Sequence, residues 1–137
     1  MAASVRRVAY TSVIVEDKPG EALRLLVRTA AAEVNLLAFH AVPLGIGKTQ
    51  LVLFSDDLDG LATVAQQEGW TLSAPQYAFL AQGEDRPGAL VDSHRQLSDH
   101  NINVVCSTGI TDGRGGYSHL LYVRNEDVDR VAALLGA

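Results

Sequence analysis

The sequence is poor in the features that mark disulfide-rich, nucleic-acid-binding and membrane proteins. Cys106 is the one cysteine among 137 residues, which excludes an intramolecular disulfide and a cysteine-based metal cluster. Arg6-Arg7 is the only basic doublet, and the formal net charge is −5. A moderately acidic chain of this kind repels phosphate backbones, so we expect no nucleic-acid partner.

Long hydrophobic runs are scarce as well. No stretch approaches the ~18 consecutive apolar residues of a transmembrane helix. The segment from Met1 to Tyr10 lacks the apolar core of a secretory signal. We therefore expect a cytoplasmic protein with no membrane partner. A hydrophobic fraction of 47% and a charged fraction of 20% are those of a globular protein.

The sequence does contain an internal repeat. Asp17-Lys18-Pro19-Gly20 returns as Asp85-Arg86-Pro87-Gly88, and Val34-Asn35-Leu36 returns as Ile102-Asn103-Val104. Both returns come 68 positions after the first occurrence. Because each copy of a repeat must be a similar packed unit, this spacing predicts two units of related structure.

Hydrophobic patterning predicts the same order of elements in both copies. Each copy starts strand, helix, strand, strand, helix, and the first copy ends on a short strand from Trp70 to Ser73. The predicted fold class is therefore α+β, with two ferredoxin-like βαββαβ units in tandem and the second unit short of its last strand. We place the two domains at residues 1–73 and 76–137.

The missing strand would leave an open sheet edge beside the predicted strand from Tyr77 to Gln82. Open edges invite pairing. We expect this edge to be covered by a partner chain or by a strand exchanged from the first copy. A unit of roughly 60–70 residues is also marginal alone, because it buries only about 60% of the surface that its unfolded chain exposes. These arguments favour a homodimer.

The Asp-x-Pro-Gly turns have the chemistry of a carboxylate site. Proline suits the first position of a helix, and glycine lets the backbone approach a ligand closely. Amide groups at a helix start lack intrahelical partners and attract anions. In the two copies these amides belong to Gly20, Glu21 and Ala22, and to Gly88, Ala89 and Leu90. The alternative is a plain strand-to-helix turn.

Asn35 and Asn103 follow the first predicted helix of each copy. An asparagine side chain offers both a carbonyl acceptor and amide donors, so it can meet both the ammonium and the carboxylate of an amino acid. The alternative is that each asparagine ends its helix in the left-handed conformation. Because both lie in register with the Asp-x-Pro-Gly turns, we favour the ligand.

These doubled motifs resemble the ACT domain, the small-molecule-binding module of amino-acid metabolism. The resemblance covers nearly the whole chain as two domains. It implies antiparallel sheets with helices on one face, domains that pair side by side, and an effector amino acid bound at the interface between domains. It also implies two sets of ligand-binding residues: Asp17, Lys18, Gly20, Glu21 and Asn35 in one, and Asp85, Arg86, Gly88, Ala89, Leu90 and Asn103 in the other.

The first copy departs from the family pattern at Glu21, where a small apolar residue is usual. A carboxylate there should weaken capture of a second carboxylate. The second copy has Ala89 instead, so the site from Asp85 to Asn103 is preferred. Ser93 and His94 occupy helix positions where apolar residues are expected, and they either face the pocket or are partly buried.

We predict a non-catalytic regulatory protein that binds an amino acid and needs no cofactor or metal. The alternative is an interaction subunit that controls a separate enzyme of amino-acid biosynthesis, as the small subunit of acetohydroxyacid synthase does in its family. A third interpretation is a small enzyme that uses His94, His100 or Cys106. Cys106 lies in an apolar strand, where a buried and unreactive thiol is expected.

Overall fold

The computed structural model describes residues 3–137. Within that range the chain forms strands and helices in the order β-α-β-β-α, which then repeats. The strands are β1 (Ser4–Glu16), β2 (Ala38–Pro43), β3 (Lys48–Phe54), β4 (Gln76–Glu84), β5 (Cys106–Thr111) and β6 (Gly116–Tyr122). The α-helices are α1 (Glu21–Ala31), α2 (Leu58–Glu68), α3 (Val91–Asp99) and α4 (Val128–Leu135). The α+β class is confirmed.

The chain divides into two units. The first unit is Ala9–Gln76, and the second unit consists of residues 3–8 together with Tyr77–Ala137. Strand β1 therefore contributes its beginning to the second unit and its remainder to the first. The predicted domains, 1–73 and 76–137, differ from these units because the start of the chain groups with the second half.

In the first unit the strand order is β2-β3-β1, and both pairings are antiparallel. Strand β3 is central because Phe54 lies opposite Tyr10 of β1 and Ala38 of β2. Asp57 caps the start of helix α2, and its Oδ1 accepts a hydrogen bond from the Gly60 amide at 2.9 Å. The apolar faces of strands and helices form one core: Val13, Leu25, Val34, Leu51, Leu53, Leu61 and Val64.

The predicted strand from Trp70 to Ser73 is wrong, because the structure assigns no strand there. A single residue of this segment pairs with β1: the Ser73 amide donates to the Ser12 carbonyl at 2.8 Å, and Thr11 Oγ1 donates to the Ser73 carbonyl at 2.7 Å. Pro75 follows and carries no amide hydrogen, so it cannot extend the pairing.

In the second unit the strand order is β1-β4-β6-β5, with β4, β6 and β5 antiparallel. The beginning of β1 lies on the side of β4 that would otherwise be an open edge. There Ser4 Oγ donates to the Gln82 carbonyl at 3.5 Å, and Val5 packs against the core. A strand from the start of the chain therefore covers this edge, as one of the two predicted solutions required.

The repeat extends to individual backbone hydrogen bonds. The Asp17 amide donates to the Gly47 carbonyl at 2.9 Å, and the Asp85 amide donates to the Gly115 carbonyl at 2.8 Å. The strand pairing repeats at the same spacing, since Ala38 lies opposite Phe54 and Cys106 lies opposite Tyr122. This equivalence allows each side chain of the second unit to be compared with its counterpart in the first.

Candidate functional site

A groove of about 570 Å³ in the second unit is lined by most of the site residues predicted for the second copy. Four segments form its walls: the turn between β4 and α3, helix α3, strand β5 and strand β6. The lining residues are Asp85, Arg86, Gly88, Ala89, Leu90, Val91, His94, Gly109, Ile110, Thr111 and Tyr117. We call this space the turn groove.

The turn that opens the groove depends on glycine. Gly88 has φ +77° and its counterpart Gly20 has φ +93°, in the left-handed region that other residues rarely adopt. The helices start later than predicted, at Glu21 and Val91. The prolines therefore precede the helices and do not occupy their first positions.

One predicted anion-binding amide is already engaged in the second copy. The Ala89 amide donates to the Arg86 carbonyl at 3.1 Å, and the Val91 amide donates to the Gly88 carbonyl at 3.0 Å. The expectation that three amides, including that of Ala89, are free is wrong, because the chain makes a hydrogen-bonded turn before the helix starts. The basic residue in the lining of the groove is Arg86.

The Arg86 guanidinium has only a loose partner. Its Nη2 lies 3.8 Å from Asp92 Oδ2, and both side chains are more than half exposed. Exposed pairs at this distance contribute little to stability. Arg86 can therefore turn toward a ligand anion at low cost.

The apolar wall of the turn groove comes from Leu90, Ile110 and Tyr117. Gly109 permits this arrangement, because a Cβ at its position would come within 2.8 Å of Leu90 Cδ1. The Leu90 side chain thus lies directly on strand β5. The lining of the groove combines an aspartate, an arginine and a histidine with a hydrocarbon surface, which is the composition of a small polar-molecule site.

Asn103 does not line the turn groove. It lines an adjoining groove of about 550 Å³ together with residues at the end of α3 and the start of β5. His94 lines both grooves. The left-handed residues after the helices are Glu33 (φ +58°) and Asn101 (φ +57°), so the alternative role given to Asn35 and Asn103 as left-handed helix ends is wrong.

The first-copy residues are arranged differently. Lys18 Nζ lies 3.2 Å from Glu16 Oε2 and 3.6 Å from Glu21 Oε1. The hydrogen bond and the charge of Glu16 raise the pKa of Lys18, and the same contact lowers the pKa of Glu16. The Glu21 carboxylate is therefore already paired with the Lys18 ammonium group. The Asn35 carbonyl accepts a hydrogen bond from the buried Ser55 hydroxyl at 2.7 Å.

A polar cluster that the sequence did not reveal lies beside the turn groove. Ser107 Oγ is 2.6 Å from His119 Nε2 and 3.1 Å from His94 Nε2. The two imidazole rings are stacked, with centroids 5.2 Å apart. We call these three residues the histidine cluster.

His119 is fully buried, with 0% of its surface exposed. Burial, and secondarily the charge of His94, lowers the pKa of His119. Its Nδ1 is buried without a hydrogen-bond partner among the described residues. The cluster therefore contains a neutral imidazole at neutral pH.

The signal that could have found the cluster is the repeat itself. The counterparts of His94, Ser107 and His119, 68 positions earlier, are Leu26, Phe39 and Leu51. The second copy thus replaces three apolar residues by three polar ones that touch one another.

The residues proposed for an enzyme are not brought together as a set. Cys106 is exposed, so the expectation of a buried thiol is wrong. The reason is that β5 is the outer strand of the sheet, and its residues are exposed. His100 Nδ1 is 2.8 Å from the Gln96 carbonyl of its own helix. In residues 3–137 no group of three histidine, cysteine or acidic side chains is placed to hold a metal ion.

Within the described chain, no helix combines the length and the hydropathy needed to cross a bilayer.

No protein-family model matches this sequence, and no curated protein matches it. Solved structures do. A protein from Bacteroides thetaiotaomicron has a TM-score of 0.80 at 16% identity, over 98% of this chain and 88% of that one. The ligand-free regulatory subunit of aspartate kinase from Thermus thermophilus has a TM-score of 0.66 at 11% identity, over 99% and 95% of the chains. A structure of aspartokinase alpha and beta subunits has a TM-score of 0.64 at 15% identity, over 98% and 96%.

These neighbours identify the fold as that of the ACT-type regulatory domains of aspartate kinase, in agreement with the resemblance of the repeated motifs.

Proposed function

We propose that this chain, as a tandem of two ferredoxin-like ACT domains, is a non-catalytic regulatory protein that binds a free amino acid in the turn groove. The observation that carries the proposal is the convergence of Asp85, Arg86 and Leu90 on one space with the apolar wall of Ile110 and Tyr117. The proposed domain boundaries remain 1–73 and 76–137.

The charged groups of the groove match the charges of an α-amino acid. The Asp85 carboxylate can pair with the α-ammonium group, and the Arg86 guanidinium can bind the α-carboxylate in a bidentate manner. The side chain of the ligand would then lie along Leu90 and Ile110. Asn103 would contact only a ligand that extends past His94 into the adjoining groove.

The second proposed site is built from Asp17, Lys18, Gly20, Glu21 and Asn35 of the first copy. The ion pair of Lys18 with Glu16 and Glu21 competes with a ligand there, so we propose weaker binding. ACT domains pair side by side by the family resemblance, and we propose a homodimer in which a second copy of the chain supplies the domain that faces the turn groove.

Thermal unfolding in the presence of each of the twenty amino acids tests this function. A ligand at about 100 times its dissociation constant stabilises the folded state by about 2.7 kcal/mol. For a chain of this size the unfolding midpoint should rise by roughly 5–15 °C. Asp85→Asn should abolish the rise, whereas Asp17→Asn, the matched change in the first copy, should leave it largely intact. A rise that survives Asp85→Asn would move the ligand out of the turn groove.

One comparison favours a second candidate function. A solved regulatory subunit of aspartate kinase is matched over 95% of its length, so this chain could act as a subunit that controls a separate enzyme of amino-acid biosynthesis. Under that alternative no amino acid would raise the unfolding midpoint of the isolated chain. A stoichiometric enzyme would co-purify with it.

A further inference from the structure

The hydrogen bonds of the histidine cluster determine which ring nitrogen of each histidine carries the proton. The pKa of His119 is lowered by burial, and a neutral imidazole has one N–H donor and one acceptor nitrogen. Since Nδ1 of His119 is buried without a hydrogen-bond partner in residues 3–137, it is either an unpaired donor or an unpaired acceptor there. Orphaned buried N–H groups are the rarer case in proteins. The network therefore places the proton of His119 on Nε2.

The other two protons follow from this assignment. His119 Nε2–H donates to Ser107 Oγ across 2.6 Å. A serine hydroxyl has a single hydrogen, which Ser107 then donates to His94 Nε2 across 3.1 Å. Because His94 Nε2 accepts this hydrogen bond, His94 carries its proton on Nδ1. Among the described residues, this N–H has no hydrogen-bond partner.

The position of His94 makes that N–H available to a ligand. His94 lines the turn groove together with Asp85 and Arg86, and it also lines the adjoining groove. Its counterpart in the first copy, Leu26, is apolar and presents no donor. The buried half of the cluster, His119, has the apolar counterpart Leu51, so the polar pair is a property of the second copy alone.

We infer that His94 is the specificity-determining contact of the turn groove, donating from Nδ1 to an acceptor oxygen at the far end of the ligand, so that the amino acid bound is one whose side chain ends in a carboxylate or a carboxamide. Ser107 and His119 act as positioning residues that hold the His94 ring and its tautomer. This inference rests on the proposed binding of an amino acid in the same groove.

Calorimetric titration of the full chain with matched probes tests the inference. The probes are L-glutamate and L-glutamine against L-methionine, and L-aspartate and L-asparagine against L-leucine, which have similar lengths but differ in their terminal atoms. We expect a carboxylate or carboxamide ligand to bind more tightly than its hydrocarbon match. A preference for the acid over the amide would identify the carboxylate as the group recognised, and the reverse order would identify the carboxamide.

The decisive variant is His94→Leu, which installs the residue that the first copy has at this position. The affinity for the preferred carboxamide should fall roughly two- to tenfold, or by about 10- to 100-fold for a carboxylate, as expected for loss of one hydrogen bond. Affinity for the hydrocarbon match should be retained. The control His100→Leu removes an exposed histidine from the end of the same helix and should change neither affinity.

The positioning role has a spectroscopic readout that a packing role would not move. Histidine 15N NMR of the wild-type chain should show His94 protonated at Nδ1 and His119 at Nε2. Ser107→Ala should convert His94 to a mixture of tautomers and weaken only the ligands that carry an acceptor. A His94 signal unchanged by Ser107→Ala would overturn the positioning role.

Failure of the inference differs from failure of the proposed function. Tightest binding of a hydrocarbon amino acid, or an affinity that His94→Leu leaves unchanged, overturns the role of His94 and leaves amino-acid binding in place. Binding of none of the twenty amino acids overturns both.

Discussion

Replacing His119 by leucine should make the protein more stable. His119 is completely buried, and one of its ring nitrogens lacks a partner within the described structure. Leaving such a group unpaired costs about 1–3 kcal/mol. The variant loses the hydrogen bond between His119 and Ser107, worth about 1 kcal/mol. Because Ser107 is exposed, water can replace that bond.

Leucine also suits the site, since the counterpart Leu51 is 1% exposed in the core of the first unit. Additional apolar burial contributes about 1 kcal/mol. The net expectation is a gain of about 1–3 kcal/mol in the free energy of unfolding. This gain corresponds to a rise of roughly 3–15 °C in the unfolding midpoint. Urea denaturation at pH 7.5 measures the first quantity, and differential scanning calorimetry measures the second.

The pH dependence provides a separate check. The folded-state pKa of His119 is lowered, so below the ordinary value of 6.5 the unfolded chain binds a proton that the folded chain resists. Wild-type stability should therefore fall as the pH drops below about 6.5, and His119→Leu should fall less steeply. A variant that is less stable than wild type, or that shows the same slope between pH 7 and pH 5, would refute this account of the buried imidazole.

Two further predictions concern the framework of the repeat. Gly88 has φ +77°, and a Cβ is strained in this left-handed region. Gly88→Ala should therefore lower the free energy of unfolding by about 1–2 kcal/mol in urea denaturation. An unchanged midpoint would mean that the turn adopts another conformation. The buried Ser55 hydroxyl donates to the Asn35 carbonyl and accepts a hydrogen bond from the Asp57 amide at 3.0 Å. Ser55→Ala should therefore lower the free energy of unfolding by about 1–3 kcal/mol in the same assay. A loss below about 0.5 kcal/mol would show that these hydrogen bonds contribute little to stability.

The repeat explains why much of the fold could be predicted from sequence. Two short motifs at one spacing predicted two similar units. The structure has the same spacing in its backbone hydrogen bonds, since the Asp17 and Asp85 amides donate to equivalent glycine carbonyls. Because the second copy lacks a last strand, the sequence also predicted that the sheet edge beside β4 would be open unless another strand paired with it. Sequence alone could not choose between a partner chain and β1 as its cover, because pairing between distant segments leaves no local pattern.

The structure differs from the sequence predictions at a few positions, each for a local reason. Proline was expected at the first helical position, but the left-handed Gly20 and Gly88 place a further turn before each helix. The Cys106 thiol is expected to be buried because its strand is apolar, but that strand is the outer one and leaves Cys106 exposed. The histidine cluster joins α3, β5 and β6, and such a contact becomes visible in the sequence only when the two copies are compared position by position.

The most direct test of amino-acid binding in the turn groove is a 1H–15N NMR titration of the chain with the amino acid that gives the largest rise in unfolding midpoint. The account predicts saturable shifts of the amide signals of Gly88, Leu90 and Ile110, while those of Gly20 and Ala22 in the first copy move little. Saturable shifts confined to the first copy, or no saturable shift in the turn groove, would contradict it.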